Sequence, residues 1–211
     1  MSDDDPFLSE PQLLEVTFPA GYQVIRELGR GSFGKVLLVS SERRNHVVKV
    51  FPDRVCESAI SEIFVTKHIQ PMCKTHMVCY EKYAHHGTMT ALVTEYIDGA
   101  VSLDQYKGEL NINDKISIMT QLLEGLQLMY TIGIVHRDIK PSNIIIEKTN
   151  TVRYIDYGVA GIRGDVAEDL TIINNCECSH TNGTRLKMHS WGTRIYVRSL
   201  PLGAPMNEFT S

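Results

Sequence analysis

The 211-residue sequence predicts an α+β fold in which a mainly antiparallel sheet with one helix is followed by a mainly helical region. Three observations predict it. Five short runs rich in β-branched and aromatic residues lie between positions 22 and 97, joined by turn-forming connections. One stretch among them, CESAISEIFVTKHIQ, has helical spacing, and a longer helical pattern begins only at Asn113.

In chain order, residues 1–20 carry Pro6, Pro11 and Pro19 among acidic residues and read as a tail. YQVIREL and KVLLVS are two strand candidates joined by GRGSFG, and HVVKVF is a third that ends at Pro52. In the helix candidate Ile60, Ile63, Phe64 and Ile69 share a face before Pro71 stops it. MVCYEKYA and TALVTEYI complete the strand set. The segment NDKISIMTQLLEGLQLMYTIG predicts a long helix with Asn113 as N-cap and Gly133 as stop. Its apolar stripe, Ile116, Met119, Leu122, Leu123, Leu126 and Met129, is expected to pack into the core. Two short strands follow, NIIIE and VRYID, and then a long polar stretch without a period from about Asn174 to His189.

Composition narrows the function class. With 43% hydrophobic residues the chain can build a sizeable core, and 21 basic against 25 acidic residues give a net charge of −4. That balance argues against nucleic acid or an anionic membrane as partner. No apolar run approaches the roughly 18 residues a membrane span needs, and there is no basic start with an apolar core, so a cytoplasmic or nuclear location is expected. Cysteines at 56, 73, 79, 176 and 178 contain no C-x-x-C pair, which fits reduced thiols better than a disulfide framework. Cys176, Cys178 and His180 are metal-ligating types, but zinc ligands normally come as two spaced pairs and the second pair is missing. Asn182-Gly183-Thr184 matches a glycosylation sequon without a secretory signal to use it.

Several spacings carry chemistry. Gly29, Gly31 and Gly34 sit between two strands, where glycine lets backbone N–H groups approach a polyphosphate. The strand-to-strand setting disfavours a dinucleotide loop, which would run from strand to helix. Lys49 lies between Val48 and Val50, and an ammonium amid that much apolar surface needs an anionic partner unless it points to water. Glu62 in the helix could supply it, with Glu57 as competitor nearer the helix start. Asp138, Asn143 and Asp156 offer one carboxylate to accept a hydroxyl proton and two oxygen donors suited to Mg²⁺, and Lys140 could neutralise a transferring phosphoryl group.

Together these motifs resemble those of eukaryotic-type protein kinases over roughly Tyr22 to Gly161. The resemblance implies a two-lobed fold, with a small lobe over residues 21–94 and a hinge and shortened large lobe over 95–211, and ATP with Mg²⁺ in the cleft between them. It assigns Gly29, Gly31, Ser32, Phe33 and Gly34 to the loop over the phosphates, with Phe33 as its aromatic tip and Val36 as the valine that follows. Lys49 would grip the α- and β-phosphates with Glu62 as helix partner. Thr94 would be the gatekeeper, and Glu95 to Ile97 would offer backbone hydrogen bonds to adenine. In HRDIKPSN, Asp138 would be the base, Lys140 would sit on the γ-phosphate and Asn143 on metal, the second metal ligand being Asp156 of DYG. Lys140 with Pro-Ser before Asn143 is similar to the serine/threonine branch, so the implied partners are ATP and a protein with a Ser or Thr acceptor.

The sequence departs from the family pattern in places. Tyr157 stands for Phe, and Val47 stands where Ala usually faces adenine. In WGTRIYVRSLP, Gly192, Thr193 and Tyr196 are kept, but Ser199 and Leu200 stand where Pro and Glu are expected. A shortened large lobe would leave the long helix without its usual cover, so self-association, a partner or the tail is expected to supply it. Beside the serine/threonine kinase stands a second reading, a pseudokinase-like ATP-binding regulatory fragment. A third, a small-molecule phosphotransferase, shares an Asp and Asn loop but not the full HRDIKPSN and GRGSFGKV.

Overall fold

A computed structural model describes residues 10–73 and 75–162. Strands β1 (Tyr22–Gly31), β2 (Gly34–Ser41), β3 (Asn45–Pro52), β4 (Tyr80–His86) and β5 (Met89–Glu95) form one antiparallel sheet in the order β1-β2-β3-β5-β4. The period-2 alternation of β3 and β5 decides which face each side chain covers. Val48, Val50, Ala91 and Val93 join one apolar cluster, whereas Phe51 and Leu92 join another with Ala59 and Ile63 of helix α2 (Cys56–His68).

The first of these faces is covered by an element that the sequence reading assigned to a tail. Residues Glu10–Thr17 form helix α1, whose Leu13 and Leu14, with Phe18 just after it, are buried against Leu37, Val39 and Val50. Each such side chain contributes about 1.5–3 kcal/mol when buried. Lys35 fixes the helix from the sheet side through an ion pair to Glu10 at 2.9 Å. Pro11 does not break the helix, because a proline in the first turn removes an N–H that would have no partner anyway.

The second lobe is built on α3 (Ile112–Thr131), flanked by β6 (Val101–Ser102), β7 (Ile134–Val135), β8 (Ile144–Ile146), β9 (Val152–Tyr154) and β10 (Gly161–Ile162). Strands β6-β8-β9 make one small sheet and β7 pairs with β10. The N-cap of α3 is Asn111 and not the expected Asn113. Asn111 Oδ1 accepts from Asp114 N at 3.0 Å while Asp114 Oδ2 accepts from Asn111 N at 3.1 Å, a reciprocal box that requires an acidic residue three positions on. Gly133, at φ 76°, takes the left-handed conformation that ends the helix.

The expected apolar stripe of α3 is only half right. Ile118, Gly125 and Met129 are buried, with Leu122 and Leu126 packed beside them, but Ile116, Met119 and Leu123 are exposed. The helix is apolar over two stripes set roughly a quarter-turn apart at 3.6 residues per turn, and the strands behind it cover one. The covered stripe is fixed by the 72–79 loop and β9, where Tyr154 N donates to His76 O at 2.8 Å and Met77 bridges Tyr154.

Cys73 and Cys79, expected as free thiols, are joined by a disulfide. The chain leaves α2 and doubles back into β4, which brings their Cα atoms to 4.9 Å. Among the described residues no helix is long and apolar enough to cross a membrane. Cys176, Cys178, His180, the sequon and WGTRIYVRSLP lie outside the described residues, as does the side chain of Glu57.

Gly125 allows the close approach of α3 to His76 and to β9. A Cβ there would stand 2.9 Å from both His76 Cβ and Tyr154 Cε2. Gly→Ala inside an open helix stabilises by about 1 kcal/mol, but Gly125→Ala is expected to lose about 1–3 kcal/mol by overpacking. A thermal melt of the variant that rises instead of falling contradicts this packing.

Candidate active site

The glycine-rich segment is a tight hairpin. Gly31 pairs with Gly34 across Ser32-Phe33, and Gly29 pairs with Val36 after an irregularity at Glu27/Gly29. The three glycines are not equivalent. A Cβ on Gly34 would lie 2.2 Å from Val50 O, whereas none on Gly29 or Gly31 meets any atom within 4 Å. Gly34 is therefore required by the β2–β3 ladder, and the other two leave backbone accessible. Phe33 packs at the edge of the Phe51–Ile63 cluster. It comes close to the DYG turn, since a Cβ on Gly158 would be 3.8 Å from Phe33 Cδ2.

Lys49 of β3, Glu62 of α2 and Asp156 after β9 are brought together. Lys49 Nζ donates to Glu62 Oε2 at 2.6 Å and to Asp156 Oδ1 at 2.8 Å. Burial, the largest influence on Lys49, pushes its pKa down, yet the two carboxylates and their hydrogen bonds hold it above the ordinary value. Burial pushes the Glu62 carboxyl up to about 7 against the pull of Lys49, with the Asp156 charge adding to the rise. The two rises have opposite causes: at Lys49 the carboxylate partners outweigh burial and favour the charge, whereas at Glu62 burial and the Asp156 charge outweigh Lys49 and disfavour it.

The second cluster is the loop between β7 and β8. Lys140 Nζ donates to Asp138 Oδ2 at 2.8 Å, and Asn143 Nδ2 donates to both Asp138 O and Asp138 Oδ2 at 2.9 Å. These contacts, Lys140 first, hold the Asp138 carboxyl below the usual carboxylate range. The two clusters are tied through backbone, because Ile155 N donates to Asn143 O at 3.0 Å one residue before Asp156. His136, to which the sequence reading gave no role, spans the joint. Its Nε2 lies 3.1 Å from Ile155 O, and its ring contacts Tyr154 and Tyr157 at centroid distances of 5.5 and 5.2 Å.

Tyr157, the departure from Phe, is buried and its hydroxyl donates to Tyr154 O at 3.0 Å. Thr94, next to last in β5, pairs with Val47 of β3, so these two positions lie side by side. Glu95 is held from both lobes: its N–H donates to Cys79 O at 3.0 Å, and its Oε1 accepts from Cys79 N at 2.7 Å and from Arg153 Nη1 at 3.1 Å. Arg153 was missed by sequence reasoning, and only its position three residues before Asp156 pointed to it. Ile97 lies in the connection beyond, where its carbonyl accepts from Ala100 N.

The donor set suits a hard cation. The Asn143 amide nitrogen is consumed by Asp138, which leaves its oxygen as a ligand atom, and Asp156 is a one-third-exposed carboxylate. Two protein oxygens fit Mg²⁺, which keeps its remaining positions for water and phosphate. Among the described residues no cluster of three or more His, Cys, Asp or Glu side chains offers an all-protein metal cage.

Gly34→Ala is expected to cost about 1–3 kcal/mol, because a Cβ against a backbone carbonyl forces β2 and β3 apart. Gly29→Ala and Gly31→Ala serve as controls in thermal melts. Equal melting of all three variants contradicts the distinct role of Gly34.

Residues 22–181 match the family model described as the protein kinase domain. The chain is 27% identical over 193 residues to mitogen-activated protein kinase kinase 1c of Physcomitrium patens, covering 87% of this chain and 55% of that protein. It is 29% identical over 161 residues to the serine/threonine-protein kinase Nek6 of Oryza sativa subsp. japonica, covering 71% and 29% respectively. Mitogen-activated protein kinase kinase 1 of Arabidopsis thaliana is 29% identical over 152 residues, 68% of this chain and 42% of that protein. The chain thus spans about half the length, or less, of these curated relatives. With a five-stranded antiparallel lobe, a lysine held by a helix carboxylate and a matching family model over most of its length, the chain belongs to the protein kinase domain family.

Proposed function

We propose that the chain is an ATP-dependent protein serine/threonine kinase that passes the γ-phosphoryl group of ATP to a Ser or Thr hydroxyl. The observation that carries this reading is the convergence of Lys49, Glu62 and Asp156, joined by the Ile155–Asn143 hydrogen bond to the Asp138 loop. The similarity to the serine/threonine-protein kinase Nek6 and Lys140 two residues after Asp138 support the acceptor class.

In this reading the hairpin of Gly29, Gly31, Ser32, Phe33 and Gly34 covers the phosphates, with Val36 beneath it. Lys49 binds the α- and β-phosphates. Thr94, Glu95 and Ile97 line the adenine side, where backbone groups of residues 95–97 would meet adenine; the Glu95 N–H is already bonded to Cys79 O. Asn143 and Asp156 would hold Mg²⁺, which supplies charge neutralisation for the phosphates when bound. Asp138 orients the acceptor hydroxyl in line with the γ-phosphorus and takes its proton as the bond forms. Lys140, already 2.8 Å from Asp138, faces the charge that develops on the transferring group.

A regulatory reading is kept alive by one feature, Ser199-Leu200 in the family's Pro-Glu place, which bears on substrate presentation and not on ATP. Incubation with labelled ATP, Mg²⁺ and a generic basic protein, beside Lys49→Ala, separates the two. Phosphoserine or phosphothreonine supports the kinase, and nucleotide binding without transfer selects the regulatory reading.

Asp138→Ala should lower turnover by about 10² to 10⁴ with ATP affinity kept; undiminished turnover overturns the assignment. Lys140→Met removes the donor that holds the Asp138 carboxyl down, so the acid limb of its pH–rate profile is expected to move to higher pH. An acid limb that stays in place, or moves down, means that another group is titrating.

A further inference from the structure

We propose that Cys73 and Cys79 form a reversible redox site whose state is transmitted to the hinge through Glu95. The proposal rests on the nucleotide-site reading only for its binding arm. Cys73 follows the single turn of 3-10 helix that ends the α2 region, and Cys79 precedes β4; their disulfide closes the loop between them at a sequence separation of six. Three sets of hydrogen bonds tie that loop and its base to the rest of the fold. At its base Gln70, in the turn that follows α2, accepts at Oε1 from Tyr80 N at 2.8 Å. His76 O accepts from Tyr154 N at 2.8 Å, two residues before Asp156. Cys79 exchanges both of its backbone groups with Glu95, at 2.7 and 3.0 Å.

Glu95 is the relay. Its Oε1 also accepts from Arg153 Nη1 at 3.1 Å, and Arg153 Nε in turn donates to Glu147 Oε1 at 2.6 Å, so one carboxylate oxygen joins the Cys79 amide to the second lobe. All four groups are at least half-buried, and losing one partner leaves the others incompletely satisfied. The disulfide holds Cys79 where it can serve Glu95, and its cleavage frees the loop to move away.

The chemistry is thiol–disulfide exchange with a dithiol reductant. A thiolate of the reductant attacks Sγ of the half-buried Cys73, which is more accessible than the buried Cys79, and the Cys79 thiolate leaves and takes a proton. The second thiol of the reductant then displaces Cys73. Two electrons and two protons pass to the protein, and the reductant becomes a disulfide.

Differential alkylation with mass spectrometry of the air-oxidised chain, before and after dithiothreitol, reads the bond directly. Protection of Cys73 and Cys79 only before reduction is expected, and full alkylation of both in the oxidised chain overturns the site. Amide hydrogen exchange across residues 76–97 reads the relay without nucleotide, and reduction is expected to speed exchange at Cys79 and Glu95 about tenfold. Unchanged exchange there overturns the transmission. An Arg153→Met variant should already exchange faster at Glu95 in the oxidised state, and an unaltered rate in it also counts against the relay.

Affinity for ATP is expected to differ about fivefold or more between the two redox states of the wild type, and not in Cys73→Ser. An equal affinity in both states overturns the coupling to the nucleotide. If neither state binds ATP while the exchange difference persists, it is the kinase reading that fails and the redox relay that stands.

Discussion

The ammonium of Lys49 is the charge around which this molecule is arranged. It is largely withdrawn from solvent in a sheet strand, and it is tolerable there only because carboxylates from two other elements reach it, at 2.6 and 2.8 Å. Those partners lie 13 and 107 residues away in sequence, so one ion cluster fixes α2 against the sheet and the segment after β9 against both. Removing one partner of such a buried group typically costs about 3–5 kcal/mol, because the other charges remain without compensation. The cluster is therefore better understood as specifying an arrangement than as a net source of stability. In the proposed function two of these three charges, Lys49 and Asp156, are the ones a polyphosphate and its cation would engage.

The segment that presents the second carboxylate is held under conformational constraint. Arg137 and Asp156 both adopt φ of 65°, in the left-handed region that costs a side chain roughly 1–3 kcal/mol. Aspartate enters this region more readily than arginine does. Both are flanked by anchors. Ile155 uses its N–H on Asn143 and its carbonyl on His136, and the His136 ring lies against Tyr154 and Tyr157. Packing and hydrogen bonds on either side thus over-determine the backbone, and the carboxylates are aimed by the chain instead of being left to side-chain freedom. Tyr157 fits the same frame because its hydroxyl finds the carbonyl of Tyr154, three residues back. A buried phenol with a partner costs little; without one it would have destabilised the turn.

Much of the fold could be read in advance. The five strands of the first sheet, α2 and α3 announced themselves because each is long enough to show a period, and Gly or Pro marks their ends. The site residues were legible for a different reason: charged and amide side chains set in apolar runs are costly unless used. Other features left no comparable trace. Helix α1 is eight residues long, includes Pro11 and follows an acidic stretch, so its two buried leucines were too few to establish a period. Asn111 and Asn113 are equivalent as cap candidates until the partner at Asp114 is counted. Cys73 and Cys79 gave no disulfide signal, since their pairing depends on the chain reversing after α2.

By itself the sequence determined the local elements, the order of the motifs and the chemistry of the groups on offer, because these depend on propensity and spacing along the chain. The tertiary structure decided which face of α3 is buried, since the helix is apolar on two sides and only contact with β9 and the 72–79 loop chooses between them. It decided that Gly34 and Gly125 are obligatory glycines, because only the distance to a neighbouring carbonyl or ring forbids a Cβ. It also tied Arg153 to the end of β5, through the Glu95 carboxylate 58 residues away. Side chains that act across such separations acquire their role from the path of the backbone, and that path is set by burial and charge pairing over the whole chain at once.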